Sequence, residues 1–245
     1  MRKFMRVRSC AISDVGKKRQ KNEDSYLIND ELQLFIVADG MGGHAGGEYA
    51  SRIAITTIEE SFKNSATESD DEENLLESAI KMAGQKIVSK AEEDRSLKGM
   101  GTTVIALHLS EKRAVLGHVG DSRAYLFREG VLEQITEDHS LVNEQVKSGL
   151  ISEEEAKNHQ FKNIITRSLG VTPEVEVDLV SKKLKLGDTF LLCSDGLSNL
   201  VDIQEMEKEL RERETVLAAK TMVDLANKRG GDDNITLILV EVVEA

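Results

Sequence analysis

Five short segments rich in aspartate and glycine are scattered over almost the whole chain, each at the edge of an apolar run. They are Asn22-Glu23-Asp24, Asp39-Gly40-Met41-Gly42-Gly43, Gly120-Asp121-Ser122, Ser194-Asp195-Gly196 and Gly231-Asp232-Asp233-Asn234. An aspartate at a strand end supplies anionic oxygen on a short stem, and a following glycine lets the backbone turn sharply and bring its own carbonyl near an ion. One such segment is an ordinary turn. Five, with hydrophobic strands behind at least three, point to a single acidic metal site assembled from distant parts of the chain.

A site gathered from that span needs a core of matching size. The 245 residues, 40% of them hydrophobic, suffice for one large domain covering 1–245. The net charge of −12 argues against nucleic acid as a partner, because a polyanion would be repelled. The two cysteines, Cys10 and Cys193, sit inside apolar stretches and read as buried free thiols in a reducing compartment. The basic start, Met1 to Arg8, is followed by Ser9, Ser13 and Asp14 rather than by an unbroken apolar stretch, so no secretory leader is expected. The longest apolar runs, Leu34 to Ala38 and Thr236 to Val240, fall far short of the ~18 residues of a membrane span. A cytoplasmic protein that does not engage the membrane is expected, acting as a monomer.

Strand-like runs cover Val7 to Ile12, Leu32 to Ala38, Thr102 to Leu109, Ala114 to Val119, Ala124 to Phe127, Thr189 to Cys193 and Ile235 to Val243. Arg128-Glu129-Gly130 reads as a hairpin turn. Helical periodicity places Ala50, Ile53, Ala54, Ile58 and Phe62 on one face of 47–62, and Leu76, Ala79, Ile80, Ala83, Ile87 and Ala91 on one face of 73–92. Over 215–228 the apolar positions are Val216, Leu217, Met222, Val223 and Ala226. The acidic run Asp70 to Glu73 suits a helix N-terminus. Residues 140–172 differ: Ser140 to Gly149 and Ser152 to Lys157 are polar helical segments, with a capping box from Ser152 to Glu155, and little of the stretch looks like deep core. It reads as a helical excursion over the surface, a candidate lid or substrate-recognition flap. Strands in groups separated by helices argue for an α+β layered domain over a doubly wound parallel sheet.

Gly40 to Ala45 matches the dinucleotide pattern G-x-G-x-x-A after a strand and before a helix. Asp39 at the strand end would repel a pyrophosphate, the following elements do not alternate as βαβ, and four acidic segments would stay unexplained. Nucleotide binding is therefore set aside, and without Lys-Ser or Lys-Thr after the glycines there is no P-loop.

Six motifs, in order, closely resemble the bacterial branch of the type 2C metal-dependent protein serine/threonine phosphatases. They are Arg19-x-x-Asn22-Glu23-Asp24, Ala38-Asp39-Gly40-Met41-Gly42-Gly43-His44, Gly99-Met100-Gly101-Thr102-Thr103, Gly117-His118-Val119-Gly120-Asp121-Ser122-Arg123, Ser194-Asp195-Gly196-Leu197 and Asp232-Asp233-Asn234-Ile235-Thr236. The resemblance spans roughly residues 8–243 and implies a four-layer sandwich: two antiparallel sheets flanked on each side by a helix pair, with a helical flap at 140–172.

The resemblance further implies two Mn²⁺ or Mg²⁺ ions per active site, with Asp39 bridging them and Asp195 and Asp233 completing the first. Glu23 and the Gly40 carbonyl would serve the second, and Asp24 would hold one of its waters. Asp121, with Asp195, matches a possible third ion. Arg19 would face the substrate phosphate, since its planar fork can donate two hydrogen bonds. The implied reaction is hydrolysis of phosphoserine and phosphothreonine in proteins by a metal-bridged hydroxide, without a Cys or Ser nucleophile. Implied partners are phosphorylated proteins, including a eukaryotic-like Ser/Thr kinase and its substrates. A dedicated phosphatase of one regulatory protein, of the anti-sigma-factor antagonist type, and a non-catalytic binding module are the rival readings. Where many eukaryotic members carry a histidine after Asp-Gly, this chain has Met41, so solvent or a metal-bound water is the expected proton source rather than His44. His108 and His118 read as structural, His139 as a loop organiser, Thr102 and Thr103 as packing residues and Asp232 as turn chemistry.

Overall fold

The computed structural model describes residues 6–42, 46–65, 71–111, 113–157 and 159–244, without the side chain of Lys157. Met1, Gly43, His44, Ala45 and Asp70, named above, lie outside the described residues.

One five-stranded sheet pairs β1 (Arg6–Asp14), β12 (Ile235–Glu244), β11 (Thr189–Cys193), β8 (Arg123–Arg128) and β9 (Val131–Gln134), in that order. The second pairs β10 (Asp178–Lys183), β7 (Arg113–Val119), β6 (Val104–Leu109), β3 (Leu34–Ala38) and β2 (Ser25–Asn29). Every neighbour in both is antiparallel. A two-stranded ribbon joins β4 (Gly40–Met41) to β5 (Gly101–Thr102).

The central strands β3 and β11 are buried at every residue, which explains their unbroken apolar runs. Alternate side chains point to opposite faces. Phe35, Val37, Ile105, Leu107, Phe190, Leu192, Ile238 and Val240 therefore fill the space between the sheets. Leu34, Ile36, Val104 and Ala106 face outward onto the helices α1 (Gly46–Asn64) and α2 (Glu72–Glu93). Leu191, Cys193, Leu237 and Leu239 face the other way onto α6 (Ile203–Glu212) and α7 (Thr215–Lys228). The result is the four layers helix–sheet–sheet–helix implied by the family resemblance.

The helix faces expected for α1 and α2 are the buried ones, with Ile53 and Ala91 at their margins. At the start of α2, Asp71 caps the helix through the Asn74 amide, and Glu72 and Glu73 pair with Arg113. For α7 the expected face is partly wrong. Val216 and Leu217 are 61% and 49% exposed, and Ala218 and Ala219 take their place in the core. Small residues let the helix approach the sheet closely, so the two alanines face it in place of Val216 and Leu217, while Met222, Val223 and Ala226 are buried as expected. Strands β2 and β10 and helix α6 were not anticipated either. The first two are edge strands with half-exposed polar residues, and α6 fully buries one residue, Met206.

Between β9 and β10 lie α3 (Leu141–Lys147) and α4 (Glu153–Lys157), and a short helical stretch, α5 (Asp195–Ser198), follows β11. The Ser152–Glu155 capping box is present in both directions. The 140–172 excursion has more core than its polar texture suggested. Leu169 is fully buried among the α2 side chains, and Val142 is buried as well. Leu169 also exchanges both backbone hydrogen bonds with Thr102, at 2.9 and 3.0 Å. No helix among the described residues is long and apolar enough to cross a membrane.

Ile238→Ala, between the sheets, should lower the unfolding free energy by about 2–5 kcal/mol. Val216→Ala should change it by no more than about 0.5 kcal/mol. Urea denaturation of the two variants checks the α7 phase, and a loss at Val216 comparable to that at Ile238 would refute it.

Candidate active site

Antiparallel pairing is what assembles the site. Each strand reverses its neighbour, so the C-terminal ends of β3, β7, β11 and β1 and the N-terminal ends of β2, β6, β8, β10 and β12 share one end of the sandwich. Asp24 precedes β2, Asp39 follows β3, Asp121 follows β7, Asp195 follows β11 and Asp233 precedes β12. The five aspartates thus meet although up to 209 positions separate them (233 − 24).

Glycines set the closeness. A Cβ on Gly40 would stand 2.2 Å from the Gly47 carbonyl oxygen and 2.5 Å from that of Glu23. A Cβ on Gly47 would meet the Glu23 carboxyl carbon at 2.9 Å. Only hydrogen at both positions lets β4, the start of α1 and Glu23 pack together. A Cβ on Gly196 would likewise lie 2.0 Å from the Asn234 carbonyl oxygen, so this glycine brings Asp195 up to the Asp233 turn.

Neutral side chains then fix the acids. The Asp39 amide donates to Thr103 Oγ1 (3.0 Å), Thr102 Oγ1 donates to the Asp39 carbonyl (2.8 Å), and Thr103 Oγ1 bonds Ser122 Oγ (2.7 Å). Ser194 Oγ donates to Asp24 Oδ2 (2.8 Å) and accepts from the Thr236 amide (3.0 Å). Asn234 Oδ1 accepts from the Glu23 amide (2.8 Å), while its Nδ2 donates to the carbonyls of Val15 and Lys21. Thr102 and Thr103, read as packing residues, thus hold Asp39 directly. Ser194, Asn234 and Thr236 had no role assigned from the sequence, although Ser194 and Asn234 adjoin an acid and Thr236 lies in the same motif as Asp233.

The electrostatics are those of crowded like charges. Burial, then the charges of Asp24, Asp195, Asp121 and Asp233, raise Asp39 well above the usual carboxylate range. Burial and Asp233 raise Asp195. Asp24 rises to about 6 and Asp121 to about 7, both chiefly through burial. Arg19, on the exposed loop after β1, donates to Asp233 Oδ2 at 2.7 Å and feels Glu23 and Asp39 as well. Its nearest anion is therefore Asp233, which leaves the rest of its fork for another acceptor. Asp232 instead points out to Lys18, 2.6 Å away.

Asp24 Oδ1, Asp121 Oδ1 and Asp195 Oδ1 are buried with no hydrogen-bond partner. An ionised carboxylate oxygen only accepts, so burial without a donor is costly unless a cation lies beside it. Among the described residues the donor set is one of hard anionic oxygens, without imidazole or thiolate, and it suits Mg²⁺ or Mn²⁺. No three acidic, imidazole or thiol side chains among the described residues are grouped so as to hold an ion by themselves. Ions that keep much of their water need no such group. Cys193 is fully buried with its thiol pushed up to about 12, and burial raises Cys10 too, so neither is a thiolate nucleophile.

A protein phosphatase 2C family model matches residues 16–228. The serine/threonine phosphatase stp of Listeria innocua is 42% identical over 235 residues, covering 94% of this chain and 93% of that protein. The crystal structure of serine/threonine phosphatase Stp1 from Staphylococcus aureus superposes with a TM-score of 0.93 at 36% identity, covering 100% of this chain and 98% of that one. The catalytic domain of the serine/threonine phosphatase PstP, solved in complex with two manganese ions, gives a TM-score of 0.88 at 37% identity, with 97% and 99% covered.

The raised Asp121 fixes the sign of a pH effect in metal-free protein. The folded state holds this proton more tightly than the unfolded chain, whose value is near 3.8. The cost of ionising Asp121 in place is thus absent below about pH 4 and complete above about pH 7. Stability of the wild type relative to Asp121→Asn should fall across that window in urea titrations with chelator present. A difference that stays constant with pH would disprove the buried, crowded placement of Asp121.

Proposed function

The chain belongs to the protein phosphatase 2C family and is a serine/threonine phosphatase acting on phosphoproteins, and we propose that it does so with Mn²⁺ or Mg²⁺ held by the five-aspartate cluster. The observation that carries this reading is the set of buried carboxylate oxygens on Asp24, Asp121 and Asp195 with no partner of their own.

Asp39, Asp195 and Asp233 would hold one ion, and Asp39, Glu23 and the Gly40 carbonyl a second. Asp121 and Asp195 would serve a third, with Asp24 steadying a water. When bound, the ions acidify water and neutralise phosphoryl charge, which lets water act as the nucleophile near neutral pH. The rest falls to the chain itself. Thr102 and Thr103 hold Asp39 from its carbonyl and amide sides, so its carboxyl is oriented before substrate arrives. Asn234 ties Glu23 to the Asp233 turn. Arg19 can donate from its free nitrogens to two phosphoryl oxygens and fix the phosphorus for in-line attack. Water supplies the attacking oxygen, the bond from phosphorus to the serine or threonine oxygen breaks, and solvent returns the proton to that oxygen. Ser194 is fully buried and committed to Asp24, so it is no rival nucleophile.

The 140–172 excursion, with Glu144 and Lys147 of α3 and Glu153 to Glu155 of α4 exposed, would act as a flap that orients protein substrates. The cellular role proposed is to oppose a Ser/Thr kinase.

Chelation should abolish hydrolysis of p-nitrophenyl phosphate and of a phosphothreonine peptide, and Mn²⁺ or Mg²⁺ should restore both. Asp39→Asn, Asp195→Asn and Asp233→Asn should each cut turnover roughly 10²-fold or more, by removing charge that offsets the ions. Asp232→Asn should stay near wild type. Full activity after exhaustive metal removal, or an Asp232 variant as damaged as the Asp233 variant, would overturn the assignment.

Flap contacts should matter for large substrates alone. Glu144→Ala on α3 should slow phosphoprotein turnover and leave the aryl phosphate rate unchanged. Equal losses on both substrates would count against the flap.

A further inference from the structure

His139 is buried, with 8% exposure, and it makes more connections than a loop residue requires. On one side it binds the turn that carries Asp121. The Gly120 amide donates to His139 Nδ1 at 3.0 Å, and the His139 amide donates to the Gly120 carbonyl at 2.8 Å. On the other side it binds the excursion. The Thr166 amide donates to the His139 carbonyl at 2.8 Å. Since Nδ1 accepts, the ring proton sits on Nε2 and is donated to Asp178 Oδ2, 3.1 Å away. Arg167, from the excursion, donates to Asp178 Oδ1 at 2.5 Å, and its Nη1 lies 3.1 Å from Nε2. The ring stacks on buried His118, with centroids 4.6 Å apart. Gly120 has φ +116° and its Cα presses on Thr103, where a Cβ would come within 2.6 Å of the side chain. Thr103 is the residue that holds the Asp39 amide.

We infer that His139 is a positioning residue that couples the excursion, through Arg167 and Asp178, to the turn bearing Asp121. The imidazole is suited to this because its two nitrogens point in opposed directions and its tautomer is fixed by both partners at once. Movement of Arg167 shifts Asp178 and the imidazole together, and the Gly120 amide follows Nδ1. A protein substrate that engages the excursion thereby acts on the position of the Asp121 carboxylate, whereas a small aryl phosphate does not. The consequence for an ion at Asp121 rests on the function proposed above; the coupling to the Gly120 amide does not.

The test is a double-mutant cycle read first by hydrogen exchange of the Gly120 amide in metal-free protein. Arg167→Gln should accelerate that exchange by roughly 2- to 30-fold in the native background. His139→Asn keeps an acceptor for Gly120 but has no atom to reach Asp178. In that background Arg167→Gln should have no further effect, and Gly120 should stay better protected than in His139→Leu. The second reading is calorimetric Mn²⁺ titration, in which Arg167→Gln should weaken the Asp121-dependent ion in the native background and not in His139→Asn. Unchanged Gly120 exchange in Arg167→Gln overturns the coupling without need of a second variant. An equal effect in both backgrounds shows that it bypasses His139, for instance through the Leu169–Thr102 pair. Altered exchange with unchanged Mn²⁺ affinity overturns the link to the ion. A wild type that binds no Mn²⁺ at all sinks the proposed function and leaves the exchange result standing.

Discussion

Mutual repulsion among carboxylates held at one end of the sandwich is the constraint around which the rest of this molecule is arranged. Asp39 is surrounded by Asp24, Asp121, Asp195 and Asp233, and burial adds to the cost of ionising it. Such a cluster persists only if the strands that carry it cannot separate. The interior between the sheets meets that requirement. Phe35, Val37, Phe190, Leu192 and Ile238 interlock there with no exposure, and each central strand is paired on both sides. Close packing of this kind holds the strand ends against a force that would spread them.

The same constraint accounts for the neutral residues around the acids. Thr102, Thr103, Ser194 and Asn234 add no charge, yet they satisfy the backbone groups of Asp39 and Glu23 and one oxygen of Asp24. A cation in any of these places would neutralise an acid and compete with an incoming ion. Among the described residues the guanidinium in contact with the cluster is that of Arg19, which is on an exposed loop and touches one of its acids. The other arginine nearby, Arg123, is committed to Asp138 through three contacts of 2.7 to 3.0 Å.

The excursion between β9 and β10 is attached where it bears on this cluster. Its C-terminal part pairs Leu169 with Thr102, which holds the Asp39 carbonyl, and its Arg167 reaches His139 and Asp178 beside the Asp121 turn. Farther from this base it carries exposed apolar side chains at Leu150 and Phe161. A segment with a firm base and exposed apolar residues beyond it suits contact with large substrates.

Periodicity and turn chemistry in the sequence determined the strand Thr189–Cys193, the helix span 215–228, the core faces of α1 and α2, and the aspartates at the strand ends. These features are legible because each depends on its own segment: an apolar run, a 3.6-residue repeat, or a carboxylate beside a glycine. Tertiary structure alone decided the rest. The phase of α7, with Ala218 and Ala219 inward, depends on how near the sheet lies. The edge strands β2 and β10 exist because β3 and β7 offer them free backbone groups. The roles of Thr103, Ser194, Asn234 and His139 depend on partners 19 to 211 positions away, across strands that only the folded sheets bring together. A hydrogen bond is a statement about a few ångströms in space, and no local pattern along the chain encodes that distance.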